Sequence, residues 1–449
     1  MSKKTIINSA YIERIQHLID SKRNSELKSE INKLHFADIA EIIELISLKE
    51  AQFIYNLVDE KKSASILVEL EEDTRENLLS YFTPKEIAQD VIGKLPSDDA
   101  VDVMSELSKE KKEAVLAFVE NEELANNISD LLSYHENTAG ALMATELIKV
   151  NENWNTIQCL KEMKKQAENI KEVHTIYAVD NKNRLLGSMS LRRLLLMESN
   201  TIVKNIIRRN IVAVKVSDEA ESIANIMDKY NLITIPVIDD ESKLIGRITL
   251  DDVLSLVKEE AEKDYQMASG ISEDVEINDN IWELTRARLP WLIIGMIGGL
   301  MGAKIIGIFN IEKYFKLAFF IPLITAMAGN VGVQSAAIVV QGLANDSLKM
   351  ENILQKLIKE LGVGLLNGMI CSIVMLITIY LFGFGTSLSI TVSISLLAVI
   401  VFAALFGTFV PLTLKRYNID PALATGPFIT TVNDIIGLFI YFLIGQAIL

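Results

Sequence analysis

The chain is poor in cysteine and histidine, the residues that build disulfide frameworks and most zinc sites. It has two cysteines and four histidines among 449 residues. Cys159 and Cys371 fall in different halves of the sequence and the histidines are scattered, so neither a disulfide framework nor a zinc site is expected. The polar sequence that follows Met-Ser-Lys-Lys-Thr at the N-terminus lacks the apolar core of a cleavable signal peptide.

Basic residues are also scarce, and the shortage lies in one part of the chain. The sequence has 44 Lys+Arg against 59 Asp+Glu. Residues 286–449 hold 10 and 6 of these, which leaves 34 and 53 for residues 1–285, a net charge of −19 against +4. Such an acidic segment argues against a nucleic-acid partner, which needs a basic face, and against a segment that lies flat on an anionic membrane. It is compatible with binding of divalent cations.

The sequence patterns of an enzyme are missing as well. The sequence contains neither a nucleophile–base pairing, nor a phosphate-binding loop, nor the spacing of a metal hydrolase. We therefore expect no enzymatic activity.

Apolar sequence is abundant after residue 285. Five stretches are each long enough to cross roughly 30 Å of hydrocarbon as a helix of about 20 residues. They are Pro290–Phe309, Phe315–Leu343, Leu361–Phe382, Ile390–Leu414 and Ala424–Leu449. Seven Lys and Arg residues lie in the loops on one side and two on the other. By the positive-inside rule this predicts a multi-pass plasma-membrane protein with a cytoplasmic N-terminal half and an extracytoplasmic C-terminus.

Asp434 is the only charged residue in the middle of the fifth stretch. An ionised carboxylate at that depth is costly unless water, a cation or a partner relieves it, so Asp434 is a candidate for an ion pathway. The same stretch and the second one offer further pathway candidates, namely Asn330, Gln334, Asn433 and Asp420. The alternative is that the carboxylate caps a neighbouring helix and that the amides bridge helices.

An internal repeat lies in the acidic half. Residues 175–195 and 234–254 align without a gap at an offset of 59, with seven identical pairs. Each copy predicts a strand, a turn, a strand and a helix, and a helical stretch precedes it at Thr156–Gln166 or Glu219–Tyr230. Because the strands need to pair across the copies to bury their faces, the repeat predicts one tandem module. The pattern resembles a pair of CBS domains, which implies a regulatory sensor, often of adenine nucleotides.

Residues 1–135 are helical throughout by periodicity, and recurring amphipathic stretches that end in Glu-Leu predict stacked helix pairs. Asp98 and Asp102 are four residues apart in this region and share one face of a helix. Like charges so placed repel, so a cation or a basic partner is expected if that face is covered. Asp98 alone can instead cap the helix.

The order of these parts resembles the MgtE family of magnesium channels over nearly the whole chain. The most specific segments are Asn137-Thr-Ala-Gly-Ala-Leu-Met, Gly329-Asn-Val-Gly-Val-Gln-Ser and Asp420-Pro-Ala-Leu-Ala-Thr-Gly-Pro-Phe-Ile-Thr-Thr. The resemblance implies a multidomain membrane protein with four parts. They are an all-α superhelical N-domain (1–135), an α/β CBS pair (136–256), a connecting helix (257–284) and a five-helix transmembrane domain (285–449).

The resemblance further implies a homodimer in the lipid membrane, with the pore between the subunits and Asp434 facing it. Mg²⁺ would pass largely with its water shell, which this ion gives up reluctantly. Cytoplasmic Mg²⁺ would close the pore by binding between the cytoplasmic domains and the connecting helix, and ATP is a further expected ligand of the CBS pair. The sensing carboxylates implied by position are Asp98, Asp102, Glu219, Glu221, Asp252, Glu260 and Asp264.

The chain departs from the family pattern at four positions. Asn231 and Lys263 stand where acidic residues are expected, Gln341 replaces an arginine, and Gly426 replaces a pore-lining amide. These differences bear on the number and affinity of the sensing sites more than on the pore.

Two other functions stay open. One is a proton- or Na⁺-coupled divalent cation transporter in which Asp434 alternately protonates. The other is a membrane sensor that binds nucleotide through the CBS-like pair without transport. A pH-dependent flux would distinguish the first, and nucleotide binding without flux the second.

Overall fold

The computed structural model describes residues 7–135, 137–167, 170, 173–272, 275, 279–309, 315–344, 353–417, 419–424 and 426–449. The chain divides into two compact units, Met1–Val257 and Lys258–Leu449.

The first unit begins with a series of α-helices. They are α1 Ser9–Asp20, α2 Asn24–Ile31, α3 Phe36–Glu44, α4 Leu48–Leu57, α5 Glu60–Glu69, α6 Glu72–Leu79, α7 Pro84–Glu86, α8 Ser97–Ser105, α9 Lys109–Leu116 and α10 Glu122–Leu131. In α1, Ile12, Ile15 and Leu18 recur at helical spacing and are buried, so one apolar face packs inward. Pro84 starts α7 and Pro96 precedes α8, positions at which a missing N–H costs nothing. The predicted helical N-domain is confirmed.

Two small sheets follow, one for each copy of the repeat. Their strand orders are β1-β2-β3 and β4-β5-β6, with a parallel first pair and an antiparallel second pair in each. The elements are α11 Ala139–Leu142, β1 Ile148–Asn151, α12 Thr156–Gln166, β2 Ile176–Val179, β3 Leu185–Met189, α13 Leu191–Leu195, β4 Val214–Lys215, α14 Ala220–Tyr230, β5 Thr234–Ile238 and β6 Leu244–Thr249. The predicted strand–strand–helix order is confirmed in both copies.

The prediction that strands pair across the copies is wrong for the part of the chain that the structure describes. Each sheet is completed by a strand from upstream of its own repeat, β1 or β4. The copies meet through an isolated bridge, through single hydrogen bonds and through a small buried cluster of Tyr177, Val179 and Leu244. The N–H of Leu244 donates to the Asn183 carbonyl at 2.9 Å. Thr175 and Thr234, which are equivalent in the repeat, join their hydroxyls at 3.1 Å.

The hydrophobic core of the helical domain continues into the second copy of the repeat. Val103 of α8 belongs to the same buried cluster as Val237 of β5 and Ile248 of β6. The first copy has a separate core around Cys159 and Met189. The helical domain is therefore packed on the second copy, which places α8 next to it.

The Asn137-Thr-Ala-Gly segment connects the helical domain to the first sheet, and it is hydrogen-bonded to the residues at the start of α14. Asn137 has a positive φ of 61°, and its carbonyl accepts the N–H of Ala220 at 3.0 Å. The N–H of Ala139 donates to the Asp218 carbonyl at 2.8 Å. A side chain on Gly140 would lie 2.5 Å from the ring of Tyr134, so this motif has a structural explanation.

Helix α15, Leu250–Ala268, begins in the first unit and ends in the second. It is shorter than the predicted connecting helix of residues 257–284, because Gly270 at φ 82° ends it. The N–H of Gly270 donates to Met267 and the N–H of Ile271 donates to Gln266, both at 3.0 Å. This pair of hydrogen bonds is the Schellman motif.

Among the described residues, five helices are long and apolar enough to cross a membrane, which confirms the predicted number. The elements are α16 Ile281–Ile308, the short α17 Phe315–Ala318, α18 Ile321–Ala344, α19 Ile353–Leu381, α20 Thr386–Arg416 and α21 Pro427–Ile448. The predicted second span began too early because α17 is a separate helix. The fifth also began too early, since a 3₁₀ turn and Gly426 at φ 54° precede α21.

Glycines set the closest helix contacts in this unit. A Cβ on Gly364 of α19 would lie 3.2 Å from Cβ of Ala404 on α20. Gly407 of α20 faces the carbonyl of Gly332 on α18 so closely that no Cβ would fit. By contrast, Gly299 of α16 has no atom within 4 Å of its Cβ position among the described residues. Gly332 of α18 and Gly298 of α16 approach side chains of α21 even more closely, so close contacts join α16 and α18 to α21 as well as α18 and α19 to α20.

Candidate functional site

One face of α18 is exposed in the described chain, although the helix spans the membrane. The exposed residues recur every four positions, at Pro322, Ala326, Asn330, Gln334 and Ile338. Two of them carry amides, which are expensive against hydrocarbon. Such a face is expected to meet water or another protein rather than lipid.

Asp434 lies where α21 crosses α18, next to that face. A side chain on Gly329 would begin 3.6 Å from Oδ1 of Asp434 and 3.0 Å from Cγ2 of Thr430, one turn earlier. Gly329 directly precedes the exposed Asn330. Oδ1 of Asp434 is buried and has no hydrogen-bond partner among the described residues. A carboxylate in this setting needs water or a cation to relieve it, as an ion pathway would supply.

Asn433 occupies a different place from the other pathway candidates. It is fully buried, and a Cβ on Gly332 of α18 would overlap its side-chain amide. Within the described chain, neither atom of that amide has a hydrogen-bond partner. The structure therefore places Asn433 inside the crossing of α18 and α21, and does not bring it to the exposed face with Asn330 and Gln334.

Asp420 faces a carboxylate of α15 within the second unit. Oδ1 of Asp420 accepts the N–H of Ala422 at 2.8 Å and so caps the 3₁₀ turn before α21. Burial, followed by the charge of Asp420, raises the pKa of Asp264 above its usual value. Glu260 lies one turn earlier on α15 and is half-buried. Two like charges this close disfavour ionisation, and a cation between them would reverse that effect.

A second pair of carboxylates lies in the first unit, between α8 and the start of α15. Burial, followed by the charges of Asp252 and Asp99, raises the pKa of Asp98 well above its usual value. Burial also raises the pKa of Asp252, although the N–H and the hydroxyl of Thr249 both donate to its carboxylate. As with Asp264 and Asp420, the like charges of this pair repel each other, and a cation between them would offset the repulsion.

Asp102 lies one turn after Asp98 on α8, as the spacing predicted. It is exposed, and its charge acts on Glu106. Burial raises the pKa of Glu106 to about 7, against the opposing effect of Arg75, whose Nη2 lies 2.7 Å from Oε1 of Glu106. Asp102 thus belongs to the surroundings of a buried ion pair in the helical domain.

The remaining candidates, Glu219 and Glu221, are exposed at the start of α14. Among the described residues, no group of three or more His, Cys, Asp or Glu side chains lies close enough to hold a metal ion. A Mg²⁺ ion held by one or two carboxylates and its own waters would need no such group.

Glu146 is a residue next to the candidate site that the sequence reasoning missed. Its Oε2 accepts the N–H of Ser97 at 3.1 Å and the hydroxyl of Ser97 at 2.8 Å. Ser97 is fully buried, and its Oγ also accepts the N–H of Thr145 at 2.8 Å. A carboxylate from the segment between α11 and β1 therefore caps the N-terminus of α8 and fixes the helix that carries Asp98. No local sequence signal reveals a partner 49 residues away.

Comparison with known proteins agrees with this layout. Three family models match the chain: a divalent cation transporter (MgtE) over residues 321–444, the MgtE intracellular N domain over 34–137 and a CBS domain over 203–259. The magnesium transporter MgtE of Enterococcus faecalis is 30% identical over 441 residues, which cover 97% of this chain and 97% of that protein. This chain belongs to the MgtE family.

Other members of the MgtE family match over similar lengths. The magnesium transporter MgtE of Thermus thermophilus is 31% identical over 330 residues, 72% of each chain. That of Bacillus subtilis is 28% identical over 409 residues, 86% of this chain and 90% of that protein. Since these relatives are transporters, the prediction that the chain is not an enzyme is confirmed.

Solved structures match the first part of the chain. The crystal structure of the soluble part of a magnesium transporter has a TM-score of 0.50 and 27% identity, and covers 56% of this chain and 98% of its own. The cytosolic domain of the Mg²⁺ channel MgtE in complex with ATP has a TM-score of 0.52 at 24% identity, and covers 55% and 99%. These similarities confirm the predicted fold class, a helical domain followed by a CBS pair.

Proposed function

We propose that this chain is a Mg²⁺ channel that imports the ion through the plasma membrane and closes when intracellular Mg²⁺ binds to its acidic part. The observation that carries the proposal is the carboxylate of Asp434, whose Oδ1 is buried and has no hydrogen-bond partner among the described residues. It lies beside a membrane-spanning face that exposes two amides. The names of the related transporters identify the ion.

The side chains around this position suit a hydrated ion. Mg²⁺ prefers octahedral oxygen coordination and keeps several of its waters. Amides such as Asn330 and Gln334 can donate to and accept from those waters, and Asp434 adds the negative charge that a cation needs. Asp434, next to this face, compensates the charge of the ion, and the amides hold its outer shell of waters.

A second copy of the chain is the proposed cover of the exposed face of α18. A two-fold axis beside that face would bring both copies of Asp434 to one pathway, as in most homo-oligomers with an isologous interface. Their mutual repulsion in a low dielectric would then be offset by a divalent cation between them. The proposed assembly is a homodimer with the pathway between the subunits.

Closure is proposed to use the two carboxylate pairs that include α15. Asp252 pairs with Asp98 near the start of this helix, and Asp264 pairs with Asp420 near its end. Without a cation each pair repels, so Mg²⁺ favours the arrangement in which the pairs are closed. A ligand shifts such an equilibrium only by its differential affinity for the two states, so several ions are expected to act together. This scheme requires residues 1–257 to lie in the cytoplasm.

ATP at the CBS pair is proposed as a modulator, not as the trigger of closure. The cleft between the two copies, lined by Thr175, Tyr177 and Thr234, encloses a cavity of about 10 Å³. That volume is close to the minimum for one water molecule. Nucleotide binding there would require the buried Tyr177 to move, and calorimetric titration with ATP in the presence and absence of Mg²⁺ tests for it.

The deciding experiment is Mg²⁺ uptake into liposomes that contain the full chain. Asp434→Asn keeps the size of the side chain but removes its charge, and is expected to reduce uptake to the level of protein-free liposomes. Glu360→Gln is the matched control, because Glu360 is a second carboxylate of the transmembrane unit and already accepts the hydroxyl of Ser335 at 2.6 Å. Normal uptake by Asp434→Asn would refute the proposed pathway.

The same liposomes separate a channel from a coupled transporter. A channel conducts Mg²⁺ down its own gradient when the proton and Na⁺ gradients are abolished. Loss of uptake under those conditions would favour the coupled transporter, in which Asp434 carries the coupling ion.

A further inference from the structure

The end of α15 is packed against the start of α21 in the second unit. A Cβ on Gly270, which ends α15, would lie 2.5 Å from Cγ of Pro427. A Cβ on Gly426, which precedes α21, would overlap the carbonyl oxygen of Ala268. Each segment therefore occupies the space that a side chain on the other segment's glycine would need.

The backbone at Gly426 also requires glycine. Its φ of 54° and ψ of −122° fall in a region that residues with a side chain adopt only under strain. Its carbonyl accepts both the N–H of Thr430 at 3.1 Å and the hydroxyl of Thr430 at 3.0 Å. Gly426 thus fixes the first turn of the helix that carries Asp434 one turn further on.

Gly270 requires glycine mainly because of its neighbour. It is the left-handed residue of a Schellman motif, a position that asparagine also occupies in many helices. What excludes asparagine here is Pro427, whose Cγ and Cδ fill the position of the Cβ. The effects of backbone strain and of contact can therefore be separated at this residue.

The two segments also bring together the charges of Asp264 and Asp420. Their repulsion opposes the glycine contact, and a bound cation would remove that opposition. Charge decides whether the segments meet, whereas the glycines decide how closely they meet.

We infer that α15 closes the ion pathway through two contacts with the start of α21. These are the contact of Gly270 with Pro427 and the contact of Gly426 with Ala268. Gly270 and Gly426 are positioning residues for closure and do not touch the ion. The inference rests on the proposed function and deepens it, because it names the contact that the cation-bound state must reach.

Gly270→Asn is the test variant, and Gly383→Asn is its matched control. Gly383 ends α19 with the same pair of hydrogen bonds and a φ of 80°. It has no atom within 4 Å of its Cβ position among the described residues. Both variants therefore place asparagine in the same backbone conformation, and only Gly270→Asn meets an obstacle.

The measurement is Mg²⁺ uptake by the full-length protein in liposomes, at low and at high Mg²⁺ on the cytoplasmic side. Wild type and Gly383→Asn are expected to be suppressed at high Mg²⁺. In Gly270→Asn, uptake at high Mg²⁺ should be suppressed about tenfold less than in wild type, because the added side chain overpacks a close contact. Uptake at low Mg²⁺ should be equal in all three, because the contact is absent from the open state.

A second substitution checks that the effect comes from the contact. Pro427→Ala removes Cγ and Cδ, so Gly270→Asn combined with Pro427→Ala should regain suppression. If Gly270→Asn is not recovered as a folded protein, Gly270→Ala introduces the same Cβ and is read in the same way. Suppression of Gly270→Asn equal to that of wild type would overturn the inference and leave the proposed function intact. A wild type that is not suppressed would overturn both.

Discussion

Ser97→Ala is expected to loosen the helical domain from the CBS pair. The hydroxyl of Ser97 donates to Glu146 at 2.8 Å and accepts the N–H of Thr145 at 2.8 Å, and the residue is fully buried. Alanine removes both interactions, together with the hydrogen bond that the Thr145 hydroxyl donates to Ser97 Oγ at 3.1 Å, while the backbone N–H of residue 97 still donates to Glu146 at 3.1 Å. The helix affected is α8, which carries Asp98 towards Asp252.

The size of the effect follows from these two interactions. A hydrogen bond to a charged acceptor contributes roughly 1.5–3 kcal/mol, and a buried N–H without a partner costs about 1–3 kcal/mol. Because the effects overlap and one bond to Glu146 remains, we expect roughly 2–4 kcal/mol against the docked state. The docking equilibrium then changes by about 30-fold or more. If two cations act together, the Mg²⁺ concentration at the midpoint of docking should rise about fivefold or more.

Limited proteolysis of the full-length protein at increasing Mg²⁺ measures that midpoint. Ser105→Ala is the control, since Ser105 lies on the same helix but is exposed and donates only to the Asp102 carbonyl at 2.7 Å. Its midpoint should equal that of wild type. The same midpoint for Ser97→Ala would show that the contact with Glu146 does not hold α8 in the cation-bound state.

Two further predictions concern titration. The pKa values of Asp98 and Asp252 are raised in the docked state. When a chelator has removed divalent cations, the helical domain should therefore dock most tightly below about pH 4, and docking should weaken as the pH rises through the raised pKa values. Protease protection that is equal at about pH 5 and about pH 8 would contradict this. Arg75→Met should destabilise the helical domain by roughly 2 kcal/mol at about pH 9, where Glu106 of wild type is ionised, because it removes the guanidinium that stabilises this buried carboxylate. Thermal unfolding should show a smaller loss at about pH 5, where Glu106, with a pKa of about 7, is protonated; equal losses at both pH values, or a similar loss for the exposed Arg14→Met, would count against it.

Local patterns predicted the elements whose partners are close in sequence. The repeated apolar segments and turns in residues 175–195 and 234–254 identified β2, β3, β5 and β6, because the two strands of each hairpin are neighbours in the sequence. The strands β1 and β4 were missed because they have four and two residues and pair in parallel with a strand beyond a helix. A pattern that short does not specify a distant partner.

The candidate site shows the same division. Asp434 was found from the sequence because a single charge in an apolar helix is conspicuous whatever the packing. The burial of Asn433 was not predicted. Neighbouring residues differ by about 100° around a helix, and only the approach of Gly332 decides which of them faces inward. That Asp98 is more buried than Asp102, one turn later on α8, likewise depends on where other parts of the chain cover this helix.

The exposed amides of α18 have a consequence for how the protein is made. A copy alone in lipid would hold Asn330 and Gln334 against hydrocarbon. If the protein acts as the proposed dimer, each newly made chain is therefore unfavourable in the membrane until it meets a second copy. Quality-control proteases can degrade it in the meantime. Because encounters scale with the square of subunit abundance, a cell that halves synthesis would lose more than half of its transporters.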